Sequence, residues 1–522
     1  MDLIGTKNLR DLLLSAERRH GSREMLVHEA ADGSITRFTY HEFTESVRHA
    51  AAGFSALGIA HGDAVVVHLP NVPEFLQAWF GLSWLGAVMV PSNTANTATE
   101  LLHVAGFSDA VATVTVPAYR DLVNEVAKKL PAVKHRLVAR TPDVEPGEIS
   151  FGEILRAGHR PPDVPVGQED VSEFIFTSGT TSRPKAVMLT HANALRDGER
   201  SYRISAVETS DRLMTALPLF HMNAQSFTVL SAITVGAAIV LLEEYRATKF
   251  WEQVRRHEAT ALSLVAMQLR TLLAQPPRES DLDHRVRRTF YALNVSNEEK
   301  TEFEQRYGLE LINGYGLTET ATVVTAAPVF GEKHWPSIGL PAFDREVRVV
   351  DTDGNDCPPG TPGEILVSGT PGRTLMKGYY KDPDATARAL RDGWLHTGDN
   401  GYFDDDGFLY FFDRAKDVIK RAGENVSATE VETTLLRHPA VQAAAVIGVP
   451  DPIRDEAVMA FVVLNEGAKA SEDELRAHCA TTLAAFKVPT ILEFRDDLPR
   501  TSIGKVSKKE LREGSSRAGT RP

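Results

Sequence analysis

The chain has 522 residues, of which 43% are hydrophobic and 24% charged, and its formal net charge is −13. That length exceeds what one core serves and predicts several domains, while the acidic balance argues against a nucleic-acid-binding surface, which needs a basic face. Two distant cysteines, Cys357 and Cys479, lack metal-ligand spacing, predict neither a disulfide framework nor a zinc site, and fit a reducing cytoplasm.

The start, MDLIGTKNLRDLL, lacks the basic and apolar regions of a signal peptide. Phe43, Val47, Ala50, Ala51 and Phe54 then recur at helical spacing. Strand-like runs alternate with helical ones: 64–69, a helix around 73–85, 87–91, 112–116, and later EFIFTS, AAIVLLE and TALSLVAM. Such alternation marks an α/β architecture. The apolar stretches 75–91 and 229–242 fall short of the ~20 residues of a spanning helix and read as buried helix and strand. Between the apolar segments 174–176 and 187–189 lies TSGTTSRPK, a loop of hydroxyls, glycine and two cations. Such a loop can turn N–H groups, hydroxyls and cations toward a polyphosphate. It lacks Walker A spacing, and by itself it reads equally as a Ser/Thr-rich turn. From Ile338 shorter strands with turn signals (DTDGND, PPGTPG, DDDG) predict a β-rich subdomain. A separate α/β pattern closes the chain: helix 428–437, strands 441–449 and 457–464, helix 472–484, and a strand from 491. The tail beyond Leu511 has no apolar face and is expected to be disordered.

Four more blocks follow the loop in order: YGLTET at 315–320, GWLHTGD at 393–399, DRAKDVIKRAGENVSATEVE at 413–432, and LPRTSIGKV at 498–506. With the loop, they resemble the acyl-adenylate-forming superfamily of acyl-CoA synthetases, peptide-synthetase adenylation domains and beetle luciferase. The likeness covers nearly the whole chain. It implies a large, multi-subdomain N-terminal α/β domain (1–413) with a β-rich subdomain, and a small mobile C-terminal α+β domain (414–522), hinged near Lys416. It also implies a ligase that uses ATP, Mg²⁺ and coenzyme A. A carboxylate is a poor electrophile, so the enzyme makes an acyl adenylate, releases pyrophosphate, and then forms a thioester; positioning and charge neutralisation supply most of that catalysis.

By the same resemblance, Thr177, Ser178, Gly179, Thr180, Thr181 and Lys185 hold the β- and γ-phosphates. Thr318 donates to the α-phosphate and Glu319 holds Mg²⁺, a cation that prefers hard oxygen ligands. Tyr315, beside Gly316, stacks on adenine, and Asp399 accepts from the ribose with Arg414 next to it. Lys505 bridges the acyl carboxylate and the α-phosphate from beyond the hinge, a task suited to a compact charge on a flexible stem. Gly423, Glu424 and Asn425 line the thiol's tunnel. His221 sits near the acyl carboxylate, although a lone His beside aromatics also suits a core. Phe220, Phe227, Val265, Asn294, Gly314 and Leu317 are expected to shape the acyl pocket.

Residues 222–232 hold no acid to bind an α-amino group, so amino-acid activation is not expected. WPSIGLPAF, GENVS and FVVLNEG give the chain its closest likeness to the crotonobetaine/carnitine-CoA ligase group. Yet the segments 217–230, 263–268, 292–297 and 314–325 supply only Glu319 as an acid and no aromatic cage for trimethylammonium. A neutral, largely apolar carboxylic acid is expected instead. The chain departs from the family at Ala186 and Ala422, where glycine is usual, and at Ala292–Val295, where a Gly-Gly-Ala-Pro-like turn is common. The alternatives are an enzyme competent in one half-reaction, transfer to a carrier-protein thiol, and a nucleotide-binding protein without catalysis. A carrier protein, a second enzyme or a homodimer is compatible as partner; a transmembrane segment is not expected.

Overall fold

The computed structural model describes residues 4–518 except 157, 178–183, 293, 294, 296, 415–417, 500–505 and 507. Two large sheets form the body. In the eight-stranded one, Ala64–His68, Val88–Pro91, Ala112–Thr115, His135–Val138 and Glu148–Ser150 run parallel, joined by Val171–Thr177. Lys185–Thr190 returns antiparallel, and Gly378–Tyr379 closes that edge. The nine-stranded sheet has a parallel centre of Glu24–Glu29, Ala238–Leu242, Arg212–Thr215, Ala261–Val265, Arg288–Ala292 and Leu311–Leu317. Antiparallel strands end it on both sides. The expected α/β architecture holds.

The helices Tyr40–Ala56 and Pro73–Leu85 fill the main core. The first turns Phe43, Val47, Ala50, Ala51 and Phe54 inward, all fully buried, as their spacing requires. The second is mostly apolar and buried along its length except at Glu74. Pro73 starts it, and Gly86 at φ +71° ends it in the left-handed conformation that glycine adopts freely. Each large apolar side chain withdrawn from water here contributes about 1.5–3 kcal/mol.

A β-rich unit follows, with strands Val347–Val350, Gly363–Ser368, Leu390–Arg391, Trp394–Phe403 and Leu409–Arg414 in one sheet. The last sheet joins Val418–Arg421, Glu424–Ser427, Val441–Asp451, Asp455–Leu464 and Ile491–Phe494, packed with the helices Ala428–Leu436 and Glu472–Ala480 around their own core. The tail differs from expectation. A helix runs from Lys508 to Ala518, because Leu511 is fully buried against Ile447, Met459 and Leu498, and Lys508 pairs with Glu432 at 2.7 Å. The polar tail extends a helix anchored by the residue just before it. Among the described residues no helix is long and apolar enough to cross a membrane.

The C-terminal sheet is held to the body by contacts remote in sequence. Lys487 lies between Glu100 at 2.8 Å and Glu430 at 3.2 Å, Arg270 meets Asp455 at 2.5 Å, and the Thr97 hydroxyl donates to the Thr482 carbonyl at 3.0 Å. Glu100 and Thr97 form the capping box of the helix Ala98–Phe107, so both side chains are already oriented when they meet the C-terminal sheet.

Candidate active site

A cavity of about 1300 Å³ opens where the two large sheets, the β-rich unit and the C-terminal sheet meet. Thr177 and Lys185 face each other across the antiparallel pair that enters and leaves the hydroxyl-rich loop. Ser178, Gly179, Thr180 and Thr181, expected to bind phosphate, lie outside the described residues, as do Asn294, Lys416 and Lys505. Ala186 is fully buried in a regular strand position opposite Phe176, so its methyl group is packing, not obstruction.

Thr318 and Glu319 form one 3₁₀ turn with Thr320 after the strand Leu311–Leu317. The chain leaves this turn through two left-handed residues, Ala321 at φ +47° and Thr322 at φ +70°. A β-branched residue there is strained and persists only when its surroundings hold it. They do: the Thr320 hydroxyl donates to the Thr322 carbonyl at 2.5 Å, Ser226 Oγ lies 2.5 Å from Thr322 Oγ1, and Arg200 Nη1 donates to the Ala321 carbonyl at 2.9 Å. Arg345 donates to the Thr320 carbonyl, and Arg200, fully buried, is clamped by both Asp344 oxygens at 2.8 Å. Nothing local in the sequence marks these two arginines. Their role depends entirely on where the turn lies in space.

Gly316 approaches the same turn so closely that a Cβ there would stand 2.2 Å from the Thr322 carbonyl oxygen. Gly316→Ala is expected to push the hairpin apart, cost about 1–3 kcal/mol of stability and weaken ATP binding. Thermal melts and calorimetric titration check this; an unchanged melt would refute the close approach. Next to Gly316, the Tyr315 hydroxyl donates to Asp399 Oδ2 at 2.8 Å. Asp399 is 2% exposed and pairs in antiparallel register with Arg414, whose side chain lies outside the description. The Tyr379 hydroxyl donates to Glu319 Oε1 at 3.0 Å, and Lys185 Nζ stands 4.7 Å above the same ring.

From the C-terminal sheet, Ala422 at φ +52° and Gly423 at φ +86° form a turn whose Gly423 borders the cavity beside Val265. Alanine in that conformation costs about 1–2 kcal/mol, so the departure flagged at Ala422 falls where glycine is the easier residue. Glu424 extends from this turn, and both its oxygens lie 3.1 Å from His221 Nε2. The main chain of Asn425 continues the strand Glu424–Ser427. Burial lowers the pKa of His221, but the Glu424 charge and hydrogen bond outweigh it and raise the net value. Burial raises the pKa of Glu424, and the imidazolium outweighs that and lowers it. The phenyl ring of Phe220 meets the imidazole edge-on at 4.8 Å.

The part of the cavity expected to hold the acyl group is apolar. Phe227 rides on a π-helical turn, Ala224–Leu230, and stacks on Phe290 at 5.0 Å and 19°. Val265, Gly314 and Leu317 also line the cavity. π-turns cluster at functional sites because they re-aim side chains at the expense of helix regularity. Here two fully buried carboxyls support the turn: Gln225 Nε2 donates to Glu173 Oε1 at 2.7 Å, and the Ser226 hydroxyl donates to Asp197. Burial pushes Glu173 up to about 8; it pushes Asp197 up to about 6, against the lowering effect of Arg200.

Every expected site residue with a described side chain therefore lines this one cavity. Sequence reasoning missed Phe290, Tyr379, Glu100 and Lys487, which line it too.

Residues 14–380 match the AMP-binding enzyme family, and 430–505 match its C-terminal domain. The chain is 41% identical over 521 residues to a crotonobetaine/carnitine–CoA ligase of Proteus mirabilis, covering 98% of this chain and 100% of that protein. It superposes on an o-succinylbenzoate CoA synthetase of Bacillus subtilis, bound with a product analogue, with a TM-score of 0.84, 27% identity, and 97% and 98% of the two chains covered. An amide bond synthetase from Marinactinospora thermotolerans gives a TM-score of 0.85 at 26% identity, with 97% and 99% covered. A cavity framed by these elements and relatedness over the full length converge: the chain belongs to the AMP-binding enzyme family, on its CoA-ligase branch.

Proposed function

We propose that this carboxylate–CoA ligase activates a neutral, largely apolar acid, with the cavity residues dividing the work between two half-reactions. In the first, a carboxylate oxygen attacks the α-phosphorus of ATP, giving acyl-AMP and pyrophosphate. In the second, the CoA thiol attacks the adenylate carbonyl, giving acyl-CoA and AMP. Lys185 and the 177–185 loop neutralise the leaving phosphates, Thr318 and Tyr315 orient the nucleotide, and Asp399 with Arg414 anchors its ribose. Glu319 presents a hard carboxylate oxygen at the phosphate end and fits Mg²⁺, which would neutralise phosphate charge there. Lys505 serves the first half-reaction, and the turn at Gly423, with Glu424 and Asn425, serves the second.

The observation that carries this reading is the convergence of Lys185, Glu319, Asp399 and the His221–Glu424 pair on one cavity. Because Glu424 lies inside it, we assign this arrangement to the second half-reaction, in which the 423–425 turn is expected to line the thiol's tunnel. We infer a hinge at Lys416 between 1–413 and 414–522; the gap between the two matched family regions is consistent with it. Two free thiols suit a cytoplasmic setting.

The cavity's carboxylates favour a neutral substrate, because Glu319 and Asp399 are assigned to Mg²⁺ and the ribose and the other described ones are already paired with a histidine or lysine. Glu319 accepts from Tyr379, Asp399 from Tyr315, Glu364 meets His396 at 3.0 Å, Glu424 pairs with His221, and Glu100 and Glu430 share Lys487. Phe227 and Phe290 turn their faces on each other instead of boxing a cation. Pyrophosphate and AMP release with Mg-ATP over aliphatic, aromatic and quaternary-ammonium acids, with and without CoA, tests the reading. Uncharged acids are expected to give acyl-CoA. Faster turnover of carnitine or crotonobetaine would overturn the substrate class, and acyl-AMP accumulating in the presence of CoA would point to another thiol acceptor.

A further inference from the structure

The two-residue strand Gly378–Tyr379 touches both halves of the phosphate end. Its backbone pairs with Val187 and Met188, just beyond Lys185, while the neighbouring Met376 N–H donates to the Glu319 carbonyl at 2.9 Å. The Tyr380 N–H donates to the Ala186 carbonyl at 2.9 Å, and the Tyr380 ring stacks on Phe174 at 4.5 Å. The backbone around residue 379 is thereby fixed against the loop strand and against the Thr318–Glu319 turn at once. The Tyr379 side chain repeats that connection: its ring face lies under Lys185 Nζ at 4.7 Å, and its hydroxyl donates to Glu319 Oε1 at 3.0 Å.

We propose that Tyr379 is a positioning residue that couples the phosphate-loop lysine to the Glu319 carboxylate, so that the two hold the Mg-nucleotide as one preset unit. Lysine and glutamate stems have several rotors each, and a planar ring bonded to one and facing the other removes that freedom before the ligand arrives. The coupling acts on Mg-ATP and has no part in thioester formation, where pyrophosphate has already gone. The inference rests on the proposed reading of the cavity.

The test compares wild type, Tyr379→Phe, Tyr379→Leu, Glu319→Gln and the Tyr379→Phe/Glu319→Gln double variant. Calorimetry measures binding of Mg-ATP and of metal-free ATP, and thioester formation is followed from synthetic acyl-AMP. Tyr379→Phe keeps the ring under Lys185 and removes one hydrogen bond to a charged group. It is expected to weaken Mg-ATP binding about tenfold, with metal-free ATP binding and the thioester step unchanged. Tyr379→Leu is expected to weaken both nucleotide forms. In the Glu319→Gln background, Tyr379→Phe is expected to add nothing. Wild-type Mg-ATP affinity in Tyr379→Phe, or an equal loss in both backgrounds, would overturn the coupling and leave a packing role. Failure of the wild type to bind ATP at all would instead overturn the reading of the cavity.

Discussion

Glu424→Ala is expected to slow acyl transfer from a preformed adenylate to CoA about thirtyfold, with pyrophosphate–ATP exchange nearly unaffected. Glu424 meets His221 across 203 residues of sequence, with both oxygens at 3.1 Å, and the contact holds the 422–425 turn in the cavity. A fully buried pair broken on one side costs about 3–5 kcal/mol. These side chains are 40% and 20% exposed, so solvent screening reduces that to about 2 kcal/mol. The pH dependence has a defined sign. The folded pKa of His221 is raised above its ordinary 6.5, burial lowering it and Glu424 more than restoring it. The pair's contribution is therefore complete below 6.5 and is lost as pH rises through the folded value. The thioester step is expected to decline on that alkaline limb, and Glu424→Gln to move the limb toward lower pH. Stopped-flow transfer from acyl-AMP reads both. A limb that stays in place in Glu424→Gln would refute the pairing.

Glu173→Gln is expected to stabilise the protein, increasingly so as pH rises. Burial holds the folded carboxyl's pKa near 8, against an ordinary value of 4.5; the hydrogen bond from Gln225 lowers it and the nearby Asp197 raises it. The folded state keeps a proton that the unfolded state releases. Stability from this group is thus complete below 4.5 and lost as pH rises toward 8, by about 4–5 kcal/mol at most. Glutamine keeps an oxygen for the Gln225 donor and never ionises. His68 and His191, whose pKa values burial pushes down to about 4, act in the opposite direction, costing stability as pH falls below 6.5. Both proteins share those histidines, so the difference in unfolding free energy between wild type and variant isolates Glu173. Parallel stability curves at pH 6 and pH 8 would sink the argument. Because Gln225 belongs to the turn that carries Phe227, Glu173→Gln also reports on how firmly that wall of the cavity is held.

The substitutions read from sequence as departures have unequal consequences in the fold. At residue 186 alanine fills a core position in a strand, where φ is extended and a methyl group is welcome. At residue 422 it occupies a left-handed turn, where the missing glycine matters. The sequence marked both positions alike, because residue identity does not report the backbone angle that each position demands.

What the sequence determined by itself was local. Largely apolar runs such as 64–68 and 238–242 became strands because buried parallel strands are apolar on both faces. The helical spacing of Phe43 to Phe54 became a buried face, and the ordered blocks named the residues that would line one cavity. Periodicity and block order stop there, since each describes only a few neighbouring residues. The Glu100–Lys487 contact spans 387 positions, His221–Glu424 spans 203 and Tyr379–Glu319 spans 60. The left-handed Thr322 is tolerated only because two buried arginines and Ser226 surround its turn. Those pairings were decided by the tertiary structure, because close packing of the sheets, and no local preference, brings the partners within hydrogen-bond reach.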